Sequence, residues 1–460
     1  MSEILLSELE NFNDLSSEYY LKDYVNLDNH LKNLPYKIIN DFYVTDGEHG
    51  SPDWDENSYI RYITAENIMP NYIFEKEFNF ISEKQHRKNE RSNLQEKDLL
   101  IYSVGAYAGY CAVAEPHLFP ANIPRSVAIV RFLPNSEINP YFASVFLNSK
   151  YGDFQTKRFR AGNSQPMLAL EKIKQFKIFQ ADKEFQQQIE DLYKQAYEHR
   201  LLSKQKYTEA EDVLLENLDL INFQAACNSV NVKSLKESFL QTGRLDAEYY
   251  QIKYEQYWNL IQSQDYVFIR DEYLHITEKP DWKNQPYQYI EIGDVNISDG
   301  SYQANCMEYQ DLPENAKIQV KQGDILISTV RPYRGAVTII GANDQDLVVS
   351  GAFTVLRKKP NSVFNNEVLK VLLRSKLYKD WLLQFNVGTS YPVIKDEDIL
   401  NLPIPKIDET IQTQIANYIQ QSNDLREKAK TLLAQAKSNV ELEIENISLN
   451  INNLKDCGGG

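Results

Sequence analysis

The sequence predicts an α+β chain: two similar mixed α/β domains separated by two long antiparallel helices that pair as a coiled coil. Three features point there. The chain repeats itself at one constant offset, strand signals come early in each repeat, and each repeat closes on a long stretch of helical apolar spacing. At 460 residues the chain is too long for one ordinary core, and its 42% hydrophobic and 25% charged residues are globular values.

The repeat is sought first because it decides the architecture. Asp98-Leu99-Leu100-Ile101-Tyr102-Ser103-Val104 matches Asp324-Ile325-Leu326-Ile327-Ser328-Thr329-Val330, an offset of 226. The same offset lays Tyr107 on Tyr333, Gly109 on Gly335, Val130-Arg131 on Leu356-Arg357 and Ser149-Lys150 on Ser375-Lys376. It also superposes Gly162-Asn163-Ser164-Gln165-Pro166 on Gly388-Thr389-Ser390-Tyr391-Pro392, and Gln188-Ile189 on Gln414-Ile415. Upstream the offset drifts, as loops of unequal length require: Glu18-Tyr19-Tyr20 pairs with Glu248-Tyr249-Tyr250 and Pro52-Asp53-Trp54 with Pro280-Asp281-Trp282.

Within a repeat, Gly323-Asp324 punctuates and the β-branched run that follows reads as a turn into a buried strand. Val348 to Leu356 reads as another strand. Asn139-Pro140 is an N-cap followed by Pro at the first helical position, which predicts a helix through Tyr151. The division expected is a first mixed α/β domain at 1–181, a helix at 182–222, a second such domain at 223–405 and a second helix at 406–455.

In the second long segment Ile411, Ile415, Tyr418, Ser422, Leu425, Ala429, Leu432 and Ala436 alternate by four and three, the seam of a coiled coil with Ser422 its polar member. The first has Phe185, Ile189, Leu192 and Ala196 in the same phase, breaks near His199 and Ser203, and resumes at Ala210, Leu214 and Leu218. At ~1.5 Å per residue a ~38-residue helix reaches on the order of 57 Å. A seam of that length needs a partner, and the chain supplies one helix per half. The alternative is two amphipathic helices, each packed on its own domain.

Net charge is −16, which opposes simple nucleic-acid binding. Residues 1–57 carry thirteen acidic and three basic side chains, and 182–220 ten acidic and five basic. The remainder is therefore near neutral and holds basic clusters. No apolar run approaches the ~18–20 residues of a membrane span, and the acidic start from Met1 to Glu10 lacks a signal-peptide pattern. Cys111, Cys227, Cys306 and Cys457 are far apart with no CxxC pair, so reduced thiols in a cytoplasm are expected and a zinc site is not.

No catalytic constellation emerges. Asn139-Pro140-Tyr141-Phe142 lacks the second proline of an adenine methyltransferase loop and reads better as the helix cap. Pro52-Asp53 and Pro280-Asp281 are followed by Glu66 and Glu291, neither of which heads a nuclease Glu-x-Lys. No phosphate-binding glycine loop occurs, and the six histidines show no ligand spacing. No metal and no cofactor is expected.

The duplicated order of these motifs resembles the specificity subunit of Type I restriction-modification systems. Each half ends in Gly-x-Ser, a Leu402-Pro403-Ile404-Pro405-like strand, a Gln-Ile dipeptide and a long helix. Arg244-Leu245-Asp246-Ala247-Glu248-Tyr249-Tyr250 is similar to the opening of a target-recognition domain in that family, and Gly323 to Ser328 to its strand motif. The first half departs with Lys177-Ile178-Phe179 for Pro403-Ile404-Pro405 and Glu96-Lys97-Asp98 for Gln322-Gly323-Asp324.

The resemblance implies a non-catalytic subunit that reads a split double-stranded DNA target with two target-recognition domains. Its paired helices would dock DNA methyltransferase subunits, two of them, and restriction-translocase subunits would join. Half-sites one helical turn apart lie ~34–36 Å from centre to centre, within reach of such a spacer.

The candidate DNA contacts are Arg331, Tyr333 and Arg334 in a turn after a strand, and Lys157, Arg158 and Arg160 before the first Gly-x-Ser turn, because arginine pairs bidentately with guanine or phosphate. The cluster of Lys84, His86, Arg87, Lys88 and Arg91 reads as solvated surface charge. The partner seam is assigned to Phe185, Ile189, Leu192, Ile411, Ile415, Tyr418, Leu425 and Leu432. Competing readings are a specificity subunit for a related methyltransferase or nuclease arrangement, a scaffold that binds no DNA, and an enzyme with an unfamiliar site.

Overall fold

The computed structural model describes residues 19–75, 78–162, 166–221, 223–225, 230–341, 347–388 and 391–457. The acidic segment before residue 19, residues 163–165 and 389–390 of the two Gly-x-Ser turns, and Cys227 lie outside the described residues. The chain forms two compact units: one runs through Leu201 and resumes at Leu425, the other is Leu202–Asp424.

In the first unit a helix, α1 (Lys22–Lys32), precedes a four-stranded antiparallel sheet. Its strands are β1 (Tyr43–Asp46), β2 (Leu99–Tyr102), β3 (Cys111–Val113) and β4 (Val127–Arg131), in the spatial order β1-β4-β2-β3. Strand β2 is apolar without alternation because both its faces are covered, and side chains point to opposite faces with period two. Leu99 and Ile101 enter a core shared with α2 (Pro140–Leu147) and α3 (Lys150–Phe159), while Leu100 enters a second core with Ala112 and Ile129. A smaller sheet places Ile60–Tyr62 antiparallel to Asn79–Ile81 and parallel to Ala121–Asn122.

The helix expected from Asn139 through Tyr151 is two helices. Asn139 caps α2 as predicted, its side chain accepting from the Tyr141 and Phe142 N–H groups at 2.9 and 3.3 Å. The chain breaks at Asn148, whose amide donates to the Cys111 carbonyl at 2.8 Å, and Ser149 then caps α3. The long helix α4 (Lys183–Asn217) follows, 35 residues without interruption.

The second unit repeats the plan. Strands β5 (Tyr273–Ile276), β6 (Ile325–Ser328), β7 (Val337–Ile339) and β8 (Phe353–Lys358) run in the order β5-β8-β6-β7. Ile325 and Ile327 face the core that holds α5 (Asn366–Arg374), and Leu326 faces the other core. Register is conserved between the halves: Leu100 opposes Ile129, and at an offset of 226 Leu326 opposes Val355. The single strand expected over Val348–Leu356 is two strands in different sheets. Leu347–Ser350 runs parallel to Tyr287–Ile290, and the chain turns at Gly351, whose N–H donates to the Asn315 carbonyl, before entering β8. In each unit a two-stranded ribbon returns the chain to its long helix, Tyr36–Ile38 with Lys177–Phe179 and Tyr266–Phe268 with Pro403–Pro405. The Lys177 and Pro403 segments thus share one geometry despite their different residues.

The motif beginning at Asp98 and Asp324 acquires a physical reason. Asp98 is fully buried and accepts from Arg131 Nε and Nη2, both at 2.7 Å, and from the Gln95 N–H at 2.8 Å. Asp324 accepts from Arg357 Nε at 2.8 Å, Nη2 at 2.7 Å and the Lys321 N–H at 2.8 Å. Each pair closes the turn before one strand onto the neighbouring strand with a bidentate ion pair. The turn needs a left-handed residue, and both halves provide one: Gly323 at φ 86° and Lys97 at φ 66°. The loss of glycine at Lys97 leaves the turn intact.

The second long helix, α6 (Glu409–Cys457), spans 49 residues. Its buried seam is Ile415, Ile419, Ser422, Ala429, Ala436, Val440 and Ile444, and that of α4 is Ile189, Tyr193, Ala196, Ser203, Ala210, Leu214 and Leu218. Every member of one set lies 226 residues from its counterpart in the other. In the second unit the helices run antiparallel: Ser203 meets Ser422, and one turn on in α4 Lys206 lies over the ring of Tyr418, one turn back in α6. In the first unit Ile189 and Tyr193 share a core with Ala436, Val440 and Ile444.

Candidate nucleic-acid interface

In the second unit the candidate arginines sit on a tip between β6 and β7. Val330 bridges to Val393, Arg331 takes a left-handed conformation at φ 47°, Pro332–Arg334 makes one tight turn, and Gly335 at φ 74° releases the chain into β7. The Arg331 N–H donates to the Pro392 carbonyl at 2.8 Å, which ties this tip to the loop that follows Gly388. The Arg331 guanidinium lies over the ring of Tyr391, 4.6 Å from its centroid, and Tyr391 is 70% exposed. Arg334 is exposed and Tyr333 half-buried.

One buried side chain holds this tip from behind. Arg374 on α5 donates to the Gly335 carbonyl at 2.8 Å, to the Ile297 carbonyl at 3.1 Å and to the Tyr207 hydroxyl of α4 at 2.9 Å. Each guanidinium nitrogen therefore reaches a different segment, and the tip is linked through one side chain to the long helix.

The first unit carries the same frame with other residues. Val104 bridges to Met167, and the Gly105 N–H donates to the Pro166 carbonyl at 2.9 Å. Gly105, at φ 136°, thus occupies the place of Arg331, and Gly109 at φ 103° that of Gly335. Tyr107 is exposed and stacks on Tyr110 at 5.4 Å.

The basic run before the first Gly-x-Ser turn is divided by the helix that carries it. Arg160 is exposed, and Lys157 is exposed and paired with Asp153 at 2.6 Å. Arg158 faces inward: its Nη1 meets Asp28 at 2.9 Å, its Nε donates to the Tyr19 carbonyl at 3.1 Å, and its guanidinium carbon lies over the Tyr19 ring, 4.2 Å from the centroid. At 5% exposure Arg158 anchors α1 and is not available to a DNA backbone. Burial pushes the Asp28 carboxyl up, but hydrogen bonds and charge from Lys177 and Lys32 outweigh it and hold the group below the ordinary aspartate range.

In the cluster over residues 84–91, Arg87 pairs with Glu83, Lys88 with Glu48 and Arg91 with Asp46, the locally compensated pattern of a solvated surface. Among the seam candidates Ile189 and Ile415 are fully buried, while Phe185, Leu192, Ile411, Tyr418, Leu425 and Leu432 are half-buried along its flanks. The sequence reading passed over Tyr391, Arg374, Tyr207 and Ser203. Tyr391 stood inside the repeated Gly-x-Ser-x-Pro motif, which was the available signal. Among the described residues no group of His, Cys, Asp and Glu side chains is arranged to hold a metal, and no helix is long and apolar enough to cross a membrane.

Residues 258–437, which contain the whole second tip, match the family model described as the Type I restriction modification DNA specificity domain. Over 138 residues the chain is 27% identical to the specificity subunit of the Type I restriction enzyme HindI of Haemophilus influenzae. That match covers 30% of this chain and 30% of the relative. Among solved structures, the S subunit of a Type I restriction-modification system from M. genitalium aligns over 88% of this chain and 95% of its own, with 13% identity and a TM-score of 0.43. The HsdS subunit of Thermoanaerobacter tengcongensis aligns over the same shares with 13% identity and a TM-score of 0.28.

Proposed function

We propose that this chain, whose second half carries a Type I restriction-modification DNA specificity domain at residues 258–437, is the DNA sequence-specificity subunit of a Type I restriction-modification complex. Each target-recognition domain, 1–181 and 223–405, reads one half of a bipartite double-stranded DNA target, and the helical segments 182–222 and 406–455 set the spacing. Phosphate contacts position the domains and base-edge contacts specify sequence. The helix pair docks two DNA methyltransferase subunits, and restriction-translocase subunits complete the complex in the cytoplasm. The chain recognises; its partners carry the catalysis.

One observation carries this reading: two tips on one repeated frame hold different residues, Arg331 and Gly105 at matching places. Duplication supplies the frame, and divergence at the tips supplies two unlike half-sites. The test is to recover the tagged chain from its own cells and assay the recovered complex on DNA. The expected result is a co-purifying DNA methyltransferase and sequence-specific binding that weakens steeply as salt rises. Other partners, with no DNA binding at low salt, would overturn it in favour of a scaffold.

A further inference from the structure

We propose that Arg331, held against Tyr391, reads a guanine in the half-site of the second domain, a role that rests on the function proposed above. Five features of the tip lead there. Arg331 occupies the left-handed region at φ 47°, which non-glycine residues adopt at a cost and which collects at binding sites. The frame does not need an arginine for its own sake. The matching place in the first unit is Gly105, with the equivalent N–H donated to the equivalent proline carbonyl. A residue that the fold could take as glycine, and that is strained as arginine, is there for its side chain.

That side chain is also prepared for contact. Contact with the Tyr391 ring, 4.6 Å from the guanidinium carbon to its centroid, limits the freedom of the side chain and reduces the ordering needed on binding. Tyr391 is 70% exposed, and Val387 and Val393, which pair with each other beside it, are 61% and 41% exposed. An arginine among exposed aromatic and apolar side chains suits a base edge. The guanidinium presents two parallel N–H groups to guanine O6 and N7, and apolar neighbours can meet a thymine methyl. A phosphate contact would call for the same guanidinium but not for this apolar collar. Behind the tip Arg374 donates to the Gly335 carbonyl, so the loop that aims Arg331 is itself fixed.

The test uses the full chain in complex with its methyltransferase subunits, selecting bound sequences from randomised duplex DNA at two salt concentrations. The wild type is compared with Arg331→Gly, Arg331→Lys and Tyr391→Ala. In Arg331→Gly, preference for guanine at one position of one half-site should fall roughly tenfold or more, the discrimination a bidentate arginine–guanine pair supplies. All other positions should be unchanged, and the unfolding midpoint should hold or rise, since glycine relieves the left-handed strain. Lysine should restore little of the preference, and Tyr391→Ala should weaken it at the same position. An unchanged motif in Arg331→Gly overturns the inference while leaving the specificity-subunit reading in place. So does a uniform loss across sequences with a salt slope smaller by about one, the signature of a phosphate contact. A wild-type complex with no sequence preference overturns the underlying reading, and the guanine assignment falls with it.

Discussion

Replacing Asp324 with Ala removes the carboxylate that closes the turn before β6 onto β8. The structure sets the scale. The Asp324 side chain is 1% exposed and accepts three hydrogen bonds, two of them from the Arg357 guanidinium. Breaking a buried ion pair from one side costs about 3–5 kcal/mol, mostly because the partner charge is stranded. Arg357 is 25% exposed and has Glu278 at 3.4 Å, so water and that carboxylate relieve part of the penalty. The expected cost is therefore about 3 kcal/mol, or roughly two orders of magnitude in the local opening equilibrium.

Asp98→Ala should act alike, because Asp98 is fully buried and Arg131 is 21% exposed. Hydrogen–deuterium exchange on the full chain reads both variants. Asp324→Ala should speed exchange across residues 325–358, and Asp98→Ala across 99–131. Asp324→Asn, which keeps an acceptor for the Lys321 N–H, should fall between. Exchange within a fewfold of wild type at either site would refute the view that these twin pairs hold the twin sheets.

Three further outcomes are expected. Ser203 and Ser422 each donate to the other's carbonyl, at 2.8 and 2.7 Å, and their hydroxyls lie 3.0 Å apart; each alanine should cost about 1 kcal/mol by denaturant unfolding, and a double-mutant cycle should return a coupling above ~0.5 kcal/mol. The folded Asp28 carboxyl lies below its ordinary value, so its stabilisation is complete above the aspartate range and is lost as pH falls through the depressed value. Asp28→Asn should accordingly flatten the acid limb of a stability–pH profile, and an unaltered limb would show that the ion pairs around it contribute nothing. Leu425→Asp and Leu432→Asp, on the half-buried flank of the seam, should reduce recovery of the methyltransferase subunit more than they lower the unfolding midpoint; full recovery would count against helix docking.

Much of this fold could be read from the chain because duplication makes each half a check on the other. Asp98 and Arg131 recur 226 residues on as Asp324 and Arg357, and each pair proved to close the equivalent turn of its own half. The helix seam was legible by period but not fully by identity. The four-three alternation placed Ala429 and Ala436 on the seam, and both are buried there, but it also took in Tyr418, Leu425 and Leu432, which are half-buried on the flank, and it skipped Ile419, which is buried. Ser203 looked like a break in the pattern because a buried hydroxyl reads as polar until Ser422 is seen to satisfy it.

The candidate interface was less legible. Lys157, Arg158 and Arg160 look alike in sequence, and only the helix that carries the first two turns Arg158 onto Asp28. Arg331 was visible as a charged turn residue, but its left-handed backbone and its contact with the Tyr391 ring, sixty residues on, depend on two loops meeting. The split of Val348–Leu356 was hidden because both strands are buried and apolar and a single glycine marks the turn between them.

The central claim is that two unlike readers on one duplicated frame specify a split target. Mapping methylated positions across the DNA of cells that carry this chain and its methyltransferase tests that claim most directly, with a strain lacking this chain as reference. The account predicts one bipartite motif of two different half-sites at a fixed separation, abolished when the chain is removed. A palindromic motif, or modification that persists unchanged without the chain, would contradict it.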